Sequence, residues 1–232
     1  MILSQKRVCI FATALAVSVA VSANSESVTN TFNFNVGQGV PDHNANGLLS
    51  VGSVNLASIP AIQELRVGLN ISGNFNGDLY AYIQKDGGQA ILLNRVGVGS
   101  FNPFGYSDAG FNVTFADSAA ADIHGYRNSP NARTSQLTGT WQPDGRMISP
   151  SSAPALFDDA PRPAMLGSFT DADPSGNWNL FICDTSAGGS STLNSWSLQF
   201  VNTVVPVPEP GTVALLGLGA FALVVGSRRA RS

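Results

Sequence analysis

Residues 176–184 read GNWNLFICD and residues 193–200 read LNSWSLQF. In the first stretch Trp178, Leu180 and Ile182 stand at every second position. In the second, Trp196, Leu198 and Phe200 alternate with Ser197 and Gln199. A period of two puts such residues on one face of an extended chain, the mark of a strand with one buried face. The SAGGSS run at 186–191 supplies the turn between them.

The same alternation recurs upstream, and no window between Asn24 and Thr203 sustains a helical period. Phe32, Phe34 and Val36 alternate with Asn33 and Asn35, ahead of a looser Asn- and Gly-rich stretch at 42–54. Leu65, Val67, Leu69 and Ile71 form the cleanest strand, which Asn74 and Gly77-Asp78 turn into Leu79, Ala81 and Ile83. Asp86-Gly87-Gly88 is a hairpin signal leading into 90–93, and Phe111, Val113 and Phe115 follow a Gly-rich loop. From 118 to 164 the pattern fades among Pro130, Pro143, Pro150, Pro154, Pro161 and Pro163, and the stretch reads as long connecting loops. Roughly seven to nine short strands at turn-punctuated spacing predict an all-β fold, an antiparallel, jelly-roll-like β-sandwich.

Three blocks carry a family resemblance: GDLYAYI at 77–83, GNWNLFICD at 176–184 and LNSWSLQF at 193–200. They resemble signatures of the P domain, also called Homo B, over about residues 55–201. That resemblance implies a jelly-roll-like sandwich, the module that follows the catalytic domain in subtilisin-like proprotein convertases. It also implies a link to serine-type endopeptidase activity. The stretch from Phe115 to Gly167 is longer and richer in proline than that pattern.

Both ends of the chain read as sorting segments. Lys6 and Arg7 precede an apolar run at 8–20, and Val21-Ser22-Ala23 supplies the small residues that signal peptidase requires. Residues 1–23 therefore read as a secretory signal peptide, cleaved before Asn24. At the other end, Val207, Pro208, Glu209 and Pro210 precede an uncharged run at 212–225, closed by Arg228, Arg229 and Arg231. As a helix that run spans roughly 21 Å, a short transmembrane segment against a hydrocarbon core of ~30 Å. The arginines hold its end in the cytoplasm and the preceding domain outside. Motif, span and basic tip together resemble the PEP-CTERM sorting signal of Gram-negative bacteria. The resemblance implies cleavage near Pro208-Glu209-Pro210 by exosortase, a membrane-embedded cysteine protease or transpeptidase. It also implies delivery to the cell surface or exopolysaccharide matrix after a transient membrane hold. The expected organisation is signal peptide 1–23, β-sandwich 24–203 and sorting segment 204–232, with signal peptidase, the secretion machinery and exosortase as processing partners.

Charge sorts with these segments. Of 12 basic residues five lie in the two signals, and of 15 acidic residues only Glu209 does. The exported part is therefore acidic, with 7 basic against 14 acidic residues, which argues against nucleic acid as a partner. Cys9 falls in the signal peptide, leaving Cys183 without a partner for an internal disulfide.

For chemistry the candidates are few. His43 and His124 both stand in Asn-, Gly- or Asp-rich sequence and read as solvated loop side chains. No nucleophile elbow, zinc-protease motif or aspartic-protease motif is present, so a non-catalytic module is expected. Calcium is the metal that fits: Asp171 and Asp173 precede Gly176 at alternate spacing, with Asp184 at the following strand end and Asp78 in a similar turn. A solvated acidic turn explains the same residues. Trp178 and Trp196 are in phase with apolar neighbours and read as core. Trp141 and Tyr126 lie in the Pro-rich region, where exposed aromatics would stack on sugars of an exopolysaccharide, or simply anchor a loop. The expected function is a structural, adhesive or binding role at the surface or in the matrix. The alternatives are a glycan-binding module and an accessory module for a protease acting in trans.

Overall fold

A computed structural model describes residues 26–128 and 136–204, together with Gly217 and Gly219. The signal peptide, the Pro-Glu-Pro motif, the transmembrane run and the arginine tip lie outside those residues. Among the described residues no helix is long and apolar enough to cross a membrane.

Nine strands are described: β1 (Glu26–Val40), β2 (Leu48–Val54), β3 (Glu64–Gly73), β4 (Leu79–Lys85), β5 (Gly88–Asn94), β6 (Phe111–Phe115), β7 (Leu137–Trp141), β8 (Gly176–Asp184) and β9 (Ser191–Val204). They form two sheets, a five-stranded one in the order β1-β9-β3-β6-β7 and a four-stranded one in the order β2-β8-β4-β5. The inward faces carry the alternation read from the sequence. Leu65, Val67, Leu69 and Ile71 of β3 face Trp196, Leu198 and Phe200 of β9 in register. The opposite sheet contributes Leu79, Ala81, Ile83, Trp178, Leu180 and Ile182, all fully buried. Phe169, Trp178 and Phe200 link the two faces, with ring centroids 4.9 and 5.8 Å apart. Trp178 and Trp196 are core residues, and Cys183 is a buried free thiol whose pKa burial pushes up to about 11.

Two turns behave differently although both are rich in turn formers. Asp86 and Gly87 have φ of 47° and 86° and join β4 to β5 as a tight hairpin, Lys85 opposite Gly88. Positive φ at both central positions suits glycine and aspartate. The 74–78 turn instead carries the chain from one sheet to the other, because β3 pairs only within the five-stranded sheet. Gly77 is required there. A Cβ at this position would lie 2.6 Å from the Phe104 oxygen and the Tyr106 nitrogen.

Register shifts reconcile the apolar residues that break the period of two. Ile71 pairs with Leu193 and Asn70 with Ser195, which bulges Asn194 and returns Leu193 to the core. A matching shift leaves Leu92 between Ile91 and Leu93, all three buried.

The loop reading of 118–164 needs correction. Leu137–Trp141 is a strand, and it pairs with β6 in parallel, Phe111 opposite Leu137 and Phe115 opposite Trp141. The β2–β8, β3–β6, β3–β9, β4–β5 and β4–β8 ladders run antiparallel. A parallel return needs a long crossover, which the segment between Phe115 and Leu137 provides.

Candidate functional site

Three loop segments that the sequence left shapeless converge on one another. The first leaves β5, where fully buried Asn94 donates from Nδ2 to the backbone oxygens of Arg146 and Ile148, both at 3.0 Å. It continues into a small bridge between Gly99 and Asn102, with Ser100 and Phe101 at its tip. Ser100 donates from its backbone N–H and its hydroxyl to Asp158, and those donors hold the Asp158 carboxyl below its usual range. The second segment follows β6 and makes a short 3-10 turn, Ile123–Asn128. The third follows β7 and contains Asp144 and Arg146.

His124 joins all three. Its Nδ1 lies 2.7 Å from Asp144 Oδ2 and its Nε2 lies 2.9 Å from the Val98 carbonyl oxygen. The ring stacks on Phe157 at 5.9 Å with an interplanar angle of 13°. A backbone carbonyl only accepts, so Nε2 carries the hydrogen of the Val98 bond, and the Asp144 carboxyl engages the other ring nitrogen. Asp144 has no exposed surface. Its Oδ1 accepts from Arg146 Nη1 at 3.2 Å and from the Arg146 backbone N–H at 3.3 Å. Arg146 also reaches Asp122 Oδ2 at 2.9 Å and the Phe157 carbonyl oxygen at 3.2 Å. Burial desolvates its guanidinium, but Asp144 and Asp122 outweigh that and hold its pKa above the usual value. Arg162 completes the network by donating to the Asp144 backbone oxygen at 2.8 Å, with Asp122 Oδ1 at 3.5 Å.

Above this floor opens a cleft of about 670 Å³, lined by Phe101, Asn102, Asp122, His124, Arg146 and Asp158 among others. Beside it Arg127 forks onto Asp108 at 2.7 and 2.8 Å and stacks over Tyr106 at 4.7 Å. The Arg127 hydrogen bonds hold the Asp108 carboxyl low.

The residues singled out by sequence fall elsewhere. Tyr126 is 1% and Trp141 8% exposed, which corrects the expectation of solvent-facing aromatics. The Tyr126 hydroxyl donates to Asp108 Oδ2 at 2.7 Å, and burial pushes its pKa upward. Trp141 Nε1 donates to the Thr138 oxygen at 2.9 Å. Pairing of β7 with β6 turns Trp141 into the sandwich, and the turn at 123–128 packs Tyr126 against it at 6.4 Å. His124 is likewise buried and not a solvated loop side chain.

The calcium set does not assemble. Asp171 and Asp173 precede β8 while Asp184 ends it. Nine residues of strand put the two groups roughly 26 Å apart. Asp173 Oδ1 accepts from the Ser175 N–H at 2.8 Å, a local turn bond. Asp184 stands beside Asp78, because Leu79 pairs with Asp184 across the sheet. Burial raises both carboxyl pKa values. Asp184 lines a smaller cavity of about 380 Å³ with His43, Tyr80 and Cys183. Among the described residues no three His, Cys, Asp or Glu side chains gather as a metal site.

The network of Asp122, Asp144, Arg146 and Arg162 went unread in the sequence. Its members come from separate loops, and Asp144-Gly145-Arg146 reads locally only as a turn.

No curated protein matches the chain. Among solved structures, it is similar to the serine protease of Aeromonas sobria in complex with its chaperone, with 13% identity and a TM-score of 0.42 over 77% of this chain and 27% of that one. The serine protease of Aeromonas sobria alone gives 12% identity and a TM-score of 0.40, over 76% of this chain and 27% of that one. The chain thus spans about a quarter of the length of either protease. Residues 206–229 match the model of the PEP-CTERM protein-sorting motif, so the tail carries that sorting motif, which implies export and processing by exosortase.

Proposed function

We propose that this is a surface or exopolysaccharide-matrix protein of a Gram-negative bacterium, whose β-sandwich is a non-catalytic module acting in structure, adhesion or binding. The observation that carries the reading is the sorting motif at 206–229, with the acidic exported domain that precedes it. The bonding of His124 supports the non-catalytic part. With one nitrogen on Asp144 and the other on the Val98 carbonyl, the ring has no free nitrogen to take a proton from a nucleophile. The three P-domain-like blocks favour a second reading, an accessory module for a subtilisin-like endopeptidase acting in trans.

The test is the C-terminal mass of the mature protein from its native host. A mature chain ending near Pro208-Glu209-Pro210 is expected, and retention of residues 211–232 overturns exosortase processing. An active-site-directed serine probe is expected to leave the protein unlabelled. Labelling overturns the non-catalytic reading.

A further inference from the structure

We infer that the cleft over His124 and Arg146 binds one or two sugar residues of a neutral polysaccharide, with the Phe101 ring stacked on the apolar face of a pyranose. This rests on the matrix reading above and names the site and ligand class that it leaves open. Phe101 is 103% exposed, as open to water as a side chain can be. The turn that carries it is nonetheless fixed. The Gly99–Asn102 bridge closes the turn, Ser100 is tied to Asp158, and Asn102 Nδ2 donates to the Gly97 oxygen at 2.9 Å. An apolar ring displayed on a hydrogen-bonded turn adds nothing to the core, and exposed apolar groups rimmed by polar ones mark binding sites. Phe104 on the same loop and Leu156 beside Phe157 are exposed as well, at 72% and 60%.

The cleft below the ring is a size that suits a small ligand, within the ~300–1,000 Å³ of such sites. Its polar groups are planar and fixed: the Asp122 and Asp158 carboxylates, the Asn102 amide and the Arg146 guanidinium. Fixed planar groups beside an aromatic ring suit adjacent hydroxyls on one side of a sugar and its C–H face on the other. Charge selects the neutral class. Arg146 is matched by Asp144 and Asp122, and Arg162 by Asp122. An anionic ligand therefore meets no uncompensated cation for the water it gives up, and faces the Asp158 carboxylate, which has only the neutral Ser100 donors. The acidity of the exported domain, 14 acidic against 7 basic residues, repels a polyanionic chain further.

The experiment is affinity electrophoresis of the full exported protein through gels holding either the neutral or the acidic polysaccharide fraction of the host's own matrix. Retardation by the neutral fraction is expected. Phe101→Ala is expected to weaken it about tenfold without changing the thermal midpoint, and Phe101→Trp to keep it. No retardation by the neutral fraction, or equal retardation by the acidic one, overturns the inference. So does a Phe101→Trp loss as large as that of Phe101→Ala, which points to a protein groove cut for phenylalanine. If the protein is found in the matrix but fails this assay, the sugar site alone falls. If it is absent from surface and matrix, the proposed function falls with it.

Discussion

Asp144→Ala tests the buried network most directly. The carboxylate is completely enclosed, engages His124 Nδ1 at 2.7 Å, and accepts from Arg146 Nη1 at 3.2 Å and the Arg146 backbone N–H at 3.3 Å. Truncation leaves Arg146 with Asp122 as its remaining carboxylate, and leaves His124 with none. Removing one partner of a buried ion pair costs about 3–5 kcal/mol, since the other charge stays desolvated. In a domain of this size each kcal/mol moves the midpoint by roughly 2–4 °C. Thermal unfolding followed by circular dichroism should therefore drop by about 10 °C. Asp144→Asn, which keeps the shape and one acceptor, should fall between wild type and alanine. In a double-mutant cycle with His124→Ala, the combined loss should be smaller than the sum by about 1–2 kcal/mol, because the two side chains share one bond. An alanine variant that melts within about 3 °C of wild type, or additive losses in the cycle, refutes the network as described.

Trp141→Ala should cost stability, about 3 kcal/mol as for a buried aromatic, seen as a lower midpoint in urea; unchanged stability with lost sugar binding would restore the exposed-aromatic expectation. Asp184→Asn should stabilise the protein near neutral pH. Burial raises its folded pKa above the ordinary 3.8, so this carboxyl's stabilising contribution is complete below about 3.8 and is lost as pH rises through the folded value. Midpoints of wild type and variant should converge near pH 3.5 and separate above it, and a variant less stable at pH 7 contradicts the sign. Asp108 carries the opposite sign. Its pKa is lowered by Arg127, so the stability it adds fades as pH falls through the folded value, and Asp108→Asn should lose its effect in acid. Chelation with EDTA should leave the midpoint unchanged, because Asp171 and Asp173 lie at the opposite end of β8 from Asp78 and Asp184. A calcium-dependent rise of several degrees would overturn that placement.

The amino-acid sequence by itself determined the features written in neighbouring residues. Alternation at Leu65–Ile71, Trp178–Ile182 and Trp196–Phe200 fixed which side chains enter the core, because the period of an extended chain is local. Asp86-Gly87 fixed its hairpin for the same reason, since only those two positions need positive φ. The tail's motif, apolar run and arginines are likewise contiguous. Tertiary structure decided what depends on partners distant in sequence. Asn74–Asp78 looks like a hairpin turn, yet pairing of β3 with β9 makes it a crossing between sheets. β7 is a strand because β6 offers it a free edge, and that pairing buries Trp141 instead of exposing it. The acidic residues around β8 look like one ligand set until the strand's length separates them. His124, Asp144, Arg146 and Arg162 carry no local pattern. Burial and the need to satisfy charge out of water bring them together, and neither can be read from spacing.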